Sequence, residues 1–158
     1  MGRFLEEFLS YLSGAVYGIA LWLWIDATAY SGAYPDVGSS SSFIETSTSH
    51  FVHVRFAHWI PFIISSIAVF FVNLGSHEGL VGGMAEDESY VNRVRIVTAI
   101  ALFVLFGAML GGCIWAGSAL LGASVINKWP GVSMIVTNIL VVVSALIYRF
   151  KRFAERDD

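Results

Sequence analysis

At 158 residues, 56% hydrophobic and only 13% charged, the chain falls well below the roughly one-quarter charged residues of a soluble domain. That places it in the membrane class, with material for one small bundle and not for two domains. A net charge of −3 gives no basic surface for nucleic acid, and a single cysteine, Cys113, excludes an internal disulfide and a cysteine-built zinc site.

The first apolar run sets the pattern. Residues 1–9 alternate Phe4, Leu5 and Phe8 with Arg3, Glu6 and Glu7, and read as an amphipathic lead-in along the membrane surface. The acids ahead of the apolar run are unlike a signal peptide's basic start. Phe8 to Ile25 carries no charge, enough helix to cross a hydrocarbon core of about 30 Å. Gly14 and Gly18 lie four apart on one face and let another helix approach. Trp22, Trp24 and Tyr30 suit an interfacial belt. Asp26 ends the run, and a carboxylate at a membrane rim needs water, a cation or a proton.

Residues 31–49 form a loop by their turn chemistry, with Pro35, Gly38 and the serine run Ser39–Ser42. A second helix starts within 50–58 and runs to about Leu74, with Pro61 in its first turns, where the missing N–H does least harm. Asn73 near its end reads as a cap or an interhelical hydrogen bond. Residues 75–92 read as a polar connection with the acidic cluster Glu86-Asp87-Glu88, which lacks the spacing of a calcium loop. Arg93 and Arg95 open a third helix, uncharged from Ile96 to Asn127. That exceeds one membrane thickness, so the helix is expected to stop near residues 122–124. Gly107 and Gly111, with Gly112 beside them, make its faces small, and packing along its length is expected. After the turn Lys128-Trp129-Pro130-Gly131 comes a fourth helix carrying Asn138 mid-membrane, where an interhelical hydrogen bond is expected. The tail mixes basic and aromatic residues, as a membrane-surface anchor does.

The expected fold is therefore all-α, a four-transmembrane-helix bundle in one domain, with helices at about 10–30, 55–74, 95–122 and 131–149. Four spans put both termini on one side. Arg3, Arg93, Arg95, Arg149, Lys151, Arg152 and Arg156 then face Arg55 and Lys128 across the bilayer, and the positive-inside rule predicts cytosolic termini.

Asp26 and Arg55 share the opposite rim in this topology. Hydration of each and mutual pairing both satisfy them. His50, His53 and His58 lie on the same side, at spacings that give neither one helical face nor a complete ligand set. They read as interfacial residues, with a pH-responsive rim as the alternative. No nucleophile–base pair, phosphate loop or metal motif is legible, so no cofactor and no enzyme activity are expected.

Several short stretches together resemble one family. They are Tyr11-Leu12-Ser13-Gly14-Ala15-Val16-Tyr17, then Trp22, Ile25-Asp26-Ala27 and Tyr30-Ser31; His53-Val54 before Trp59-Ile60-Pro61-Phe62; Val72-Asn73; and Trp129-Pro130-Gly131 leading to Asn138. Their order and spacing resemble the family of fungal vacuolar protein sorting-associated protein 68 and the animal transmembrane protein 50 proteins, more closely on the fungal side. The long loop with Ser39–Ser42 departs from the animal pattern. The resemblance implies a four-span endosomal protein, acting in traffic from late endosome to vacuole. It also implies a partner similar to vacuolar protein sorting-associated protein 55, itself similar to the leptin receptor overlapping transcript product. It supplies no catalytic residue, and Asp26, Asn73 and Asn138 match its polar positions.

Three functions follow as alternatives. The first is a non-enzymatic subunit of an endosomal trafficking complex. The second is a lipid-handling or small-solute transport protein using the Asp26 rim. The third is a chaperone-like subunit of an endoplasmic reticulum complex. A transporter requires a polar cavity reaching Asp26 or Asn138, whereas a packing subunit buries such residues between helices.

Overall fold

The structure is a computed structural model that describes residues 2–33, 53–74, 88–122, 125 and 127–154. Among the described residues, four α-helices make up the bundle: α1 (Gly2–Gly32), α2 (Ile60–Leu74), α3 (Glu88–Trp115) and α4 (Trp129–Ala154). A 3-10 turn, Phe56–Trp59, leads into α2, and a π-helical turn, Ala116–Leu120, closes α3. Each helix includes a stretch long and apolar enough to span a membrane, namely Glu7–Gly32, Phe56–Asn73, Ser89–Leu120 and Trp129–Phe150. The protein has the four-spanning all-α fold its hydrophobic runs predict.

The helices alternate in direction. Tyr17 meets Ser66 and Trp24 meets Trp59 between α1 and α2. Ser13 meets Ser144 and Asp26 meets Trp129 between α1 and α4. The start of α1 and the end of α4 therefore share one end of the bundle, here the terminal end; Asp26 and Trp129 mark the loop end. α1 packs chiefly on α4 and α2 chiefly on α3, while α4 also touches α2 and α3. α4 is thus the central helix, although it comes last in the chain.

Buried positions recur every seven residues, the repeat of helices packed at shallow angles. Ser13, Ala20 and Ala27 form such a row on α1, Val91, Thr98 and Leu105 on α3 with Gly112 next in register, and Thr137 with Ser144 on α4. Lipid is as apolar as leucine, so what brings these helices together is close packing and hydrogen bonding. Large apolar side chains such as Trp22, Phe70, Phe103 and Ile114 point outward.

The helix boundaries differ from expectation at two places. The amphipathic start is not a separate surface segment; α1 is one continuous helix of 31 residues from Gly2. Nor does the polar connection extend to Asn92, because α3 is already helical at Glu88. In both places the helix propagates past the end of the apolar run, as each added residue contributes a backbone hydrogen bond.

Trp24, assigned to the interface, belongs to the core, and half-buried Trp59 packs against it. Trp24 is 1% exposed and packs edge-on against Trp59 at 5.6 Å. Trp59 in turn packs edge-on against Phe62 at 6.5 Å. Trp22, two residues away, does face outward. The serine run Ser39–Ser42, His50 and the acids Glu86 and Asp87 lie outside the described residues.

Candidate functional site

The most elaborate chemistry lies along the α1–α4 contact. Ser13 Oγ donates to the Ser144 carbonyl at 2.9 Å, and Ser144 Oγ donates back to the Ser13 carbonyl at 3.0 Å. Further along, Thr137 Oγ1 donates to Ala20 O at 3.2 Å and Ser133 Oγ to Leu23 O at 2.7 Å. At the loop end Trp129 Nε1–H donates to Asp26 Oδ2 at 3.0 Å. Short hydroxyl side chains reach the main chain of the facing helix only when the backbones lie close, which Ala20 and Ala27 permit. The result is a polar seam that fixes the register of two helices more than a hundred residues apart.

This seam answers the question Asp26 poses. Its carboxylate is exposed, accepts the indole N–H of Trp129, and sits by the first turn of α4, where the helix dipole favours negative charge. No ion pair joins it to Arg55 among the described residues; the turn residue Trp129 takes the place proposed for the arginine. Arg55 is also exposed, and its backbone N–H donates to His58 Nδ1 at 3.0 Å. That bond makes Nδ1 the acceptor nitrogen of a buried ring, which lies against Trp115 with centroids 5.4 Å apart. His58 thus caps the turn into α2 instead of joining an open rim. His53 is half-buried, and His50 lies outside the described residues. Among the described residues, no three His, Cys, Asp or Glu side chains gather where they could hold a metal.

Asn138 marks the meeting point of α2, α3 and α4. It is 1% exposed, and a Cβ built on Gly112 would lie 2.7 Å from its Nδ2 and 3.0 Å from Pro61 Cβ. Only glycine fits there. The expected interhelical hydrogen bond is not what forms: Nδ2 donates to Met134 O, one turn back on the same helix, at 2.8 Å. Its Oδ1 is buried with no hydrogen-bond partner among the described residues. Gly131 is a second forced glycine, since a Cβ there would come within 2.8 Å of Leu121. The Trp129-Pro130-Gly131 turn therefore seats α4 directly on the end of α3.

The other glycines singled out for packing behave differently. A Cβ at Gly14, Gly18, Gly107 or Gly111 would meet nothing within 4 Å, and all four are exposed. Gly14 opens on the cleft between α1, α2 and α4, while Gly18, Gly107 and Gly111 make smooth exposed faces that no described helix covers. Cys113 is half-buried beside Gly112.

Asn73 lies at the terminal end, in an open cleft of about 370 Å³ where α1, α2 and α4 meet. Ser10 and Tyr17 of α1, Ser66 of α2, and Ser144 and Tyr148 of α4 also line it. Tyr17 O–H donates to Ser66 Oγ at 2.8 Å, and Ser66 O–H donates to Phe62 O at 2.8 Å. At the same end Arg149 Nη1 donates to Val72 O at 3.3 Å, a cation on the last carbonyls of α2. The cleft reaches neither Asp26 nor Asn138.

Sequence reasoning did not find Ser13, Ser133, Thr137 and Ser144. The signal for Ser13, Thr137 and Ser144 was the seven-residue recurrence of small and hydroxyl residues, Ser13-Ala20-Ala27 against Thr137-Ser144, and Ser133 falls outside it. Tyr17, Ser66 and Arg149 had no comparable signal, because their roles depend on which helices lie side by side.

A four-helix membrane bundle with hydrogen-bonded helix contacts is the class this architecture defines. The chain belongs to the uncharacterised protein family UPF0220, whose model it matches over residues 2–157. It is similar to vacuolar protein sorting-associated protein 68 of Saccharomyces cerevisiae, 29% identical over 150 residues covering 87% of this chain and 74% of that one. UPF0220 protein C8D2.02c of Schizosaccharomyces pombe is 26% identical, over 85% of this chain and 74% of that one. The transmembrane protein 50 homolog of Dictyostelium discoideum is 19% identical, over 100% of this chain and 97% of that one. No solved structure matches the chain.

Proposed function

We propose that this chain is a non-enzymatic, multi-pass subunit of an endosomal membrane trafficking complex, supporting protein transport from late endosome to vacuole. The carrying observation is the outward-facing small-residue surface of α3 at Gly107 and Gly111, which is smooth, exposed and uncovered by any described helix. In lipid such a surface is where a second membrane protein's helix approaches most closely. The name of the Saccharomyces cerevisiae relative supports the sorting role. The burial of Asn138 between helices favours packing over transport through its position.

The partner in this reading is a small membrane protein similar to vacuolar protein sorting-associated protein 55. The membrane in this reading is that of the late endosome or vacuole, with the termini and the Arg149-bearing end in the cytosol, the side that the charge asymmetry favours. Affinity purification in mild detergent tests it. The wild-type chain should recover one stoichiometric membrane partner, and Gly111→Leu should abolish that recovery while leaving the chain's own thermal stability near wild type. Recovery of the chain alone, or full partner recovery by Gly111→Leu, defeats the reading.

A further inference from the structure

The cleft at the terminal end has a definite hydrogen-bond polarity. Tyr17 O–H is engaged by Ser66 Oγ, and Ser66 O–H by the Phe62 carbonyl. Ser13 and Ser144 each direct their hydroxyl hydrogen to the other's carbonyl. All four hydroxyl hydrogens are therefore turned inward onto the protein. What Tyr17, Ser66 and Ser144 have left to offer the cleft is oxygen lone pairs. Around Tyr17 the cleft therefore accepts hydrogen bonds, while Ser10, Asn73 and Tyr148, whose side chains can also donate, line it nearer the helix ends. Moreover, no described residue lining the cleft is charged, and Val69 and Phe70 of α2 form an apolar wall. Phe70 is 61% exposed toward the surroundings of the bundle.

Each feature narrows the ligand. Because the Tyr17 hydroxyl hydrogen is engaged by Ser66, a ligand that bonds Tyr17 Oη must donate. The absence of lining charge disfavours a phosphate, a carboxylate or an ammonium, since a buried charge needs a partner. Tyr17 lies near the middle of the 31-residue α1, so the donor must be carried well into the hydrocarbon on an apolar body. We infer that the α1–α2–α4 cleft binds an uncharged lipid whose small head donates a hydroxyl hydrogen to Tyr17 Oη. The apolar body of that lipid runs outward along Val69 and Phe70. Sterols, ceramides and diacylglycerols share this chemistry. The site is remote from Asp26 and does not depend on the trafficking role proposed above.

Two variants isolate the cleft. Gly14 lines it, and a Cβ built there meets no described atom within 4 Å. Gly14→Leu therefore adds bulk on the cleft side, and its detergent melting temperature should stay near wild type. Tyr17→Phe removes the accepting oxygen and retains the ring that stacks on Phe62 at 6.3 Å. The full chain is reconstituted in phosphatidylcholine vesicles with one photoactivatable probe at a time: a sterol, a ceramide, a diacylglycerol or a phosphatidylcholine. At least one hydroxyl probe should label α1 or α2 peptides well above the phosphatidylcholine probe, and which one does so identifies the source of the hydroxyl. Gly14→Leu should abolish that labelling, and Tyr17→Phe should reduce it about fivefold, the scale of one net hydrogen bond. Equal labelling by the phosphatidylcholine probe overturns the inference. So does hydroxyl-probe labelling that survives Gly14→Leu, or a Tyr17→Phe chain that labels like wild type at unchanged thermal stability.

Discussion

The two long contacts of this bundle are built on opposite principles. Between α1 and α4 the hydroxyls of Ser13, Ser133, Thr137 and Ser144 all find carbonyl partners on the facing helix. On the α2–α3 side, by contrast, Ser65 Oγ and Thr98 Oγ1 are buried with no partner among the described residues. The outer side of that contact opens into an apolar groove of about 410 Å³, lined by residues such as Ile64, Phe71, Val97 and Val104. In water the apolar pair would be the stronger one. In lipid, greasy side chains gain little from each other, and the hydrogen-bonded seam carries the specificity. The chain thus ties its two ends together firmly and leaves its central hairpin to shape and a single forced close approach.

That close approach should give the largest effect. Gly112→Val drives a branched side chain into Asn138 and Pro61, and overpacking of this kind costs about 1–3 kcal/mol. A marked fall in the detergent melting temperature checks it. A wild-type melting temperature would show that the α2–α3–α4 junction yields easily and would overturn the contrast drawn here. The seam comes next. Ser13→Ala and Ser144→Ala should each cost about 0.6–1.7 kcal/mol, and the double variant should cost less than their sum, since each single change leaves the other hydroxyl's partner disturbed. Strict additivity in a steric-trapping or thermal assay would mean that the two serines act separately.

The smallest expected effect is at the rim, where Asp26 is exposed and its bond to Trp129 is partly screened. Asp26→Asn with Trp129→Phe should show a coupling of about 0.5 kcal/mol, whereas Asp26→Asn with Arg55→Gln should be additive. Coupling to Arg55 instead of Trp129 would reverse the assignment.

Much of this fold was legible in the sequence, for a physical reason. A span needs a long uncharged run, and composition shows such runs directly. The forced glycine at Gly112 was only half legible. Gly112 and Gly111 are adjacent, yet one faces Asn138 and the other faces away from the bundle. Spacing identifies a small face and leaves open which way it points. Asp26 was recognisable as a residue needing a partner, but Trp129 lies 103 positions away. An aromatic donor is an unremarkable sight at a membrane rim, so nothing marked it as that partner. The register of the seam could have been read from the seven-residue recurrence, since Ser13, Ala20 and Ala27 are small and evenly spaced.

The unequal helix lengths bear on the bilayer itself. The described span of α2 with its leading 3-10 turn, Phe56–Asn73, has 18 residues and reaches about 28 Å. α1, with 31 residues, extends to about 46 Å. Because α2 is held between α3 and α4, it cannot lengthen to suit a thick membrane, while α1 and α3 can tilt or project into water. The shortest of the described spans therefore sets the thickness at which the bundle sits without strain, close to the thin end of the cellular range at about 27 Å. Membranes thickened by sterol and sphingolipid would have to pinch inward beside α2, an elastic penalty that biases the protein toward thinner surroundings whatever other sorting signals it carries.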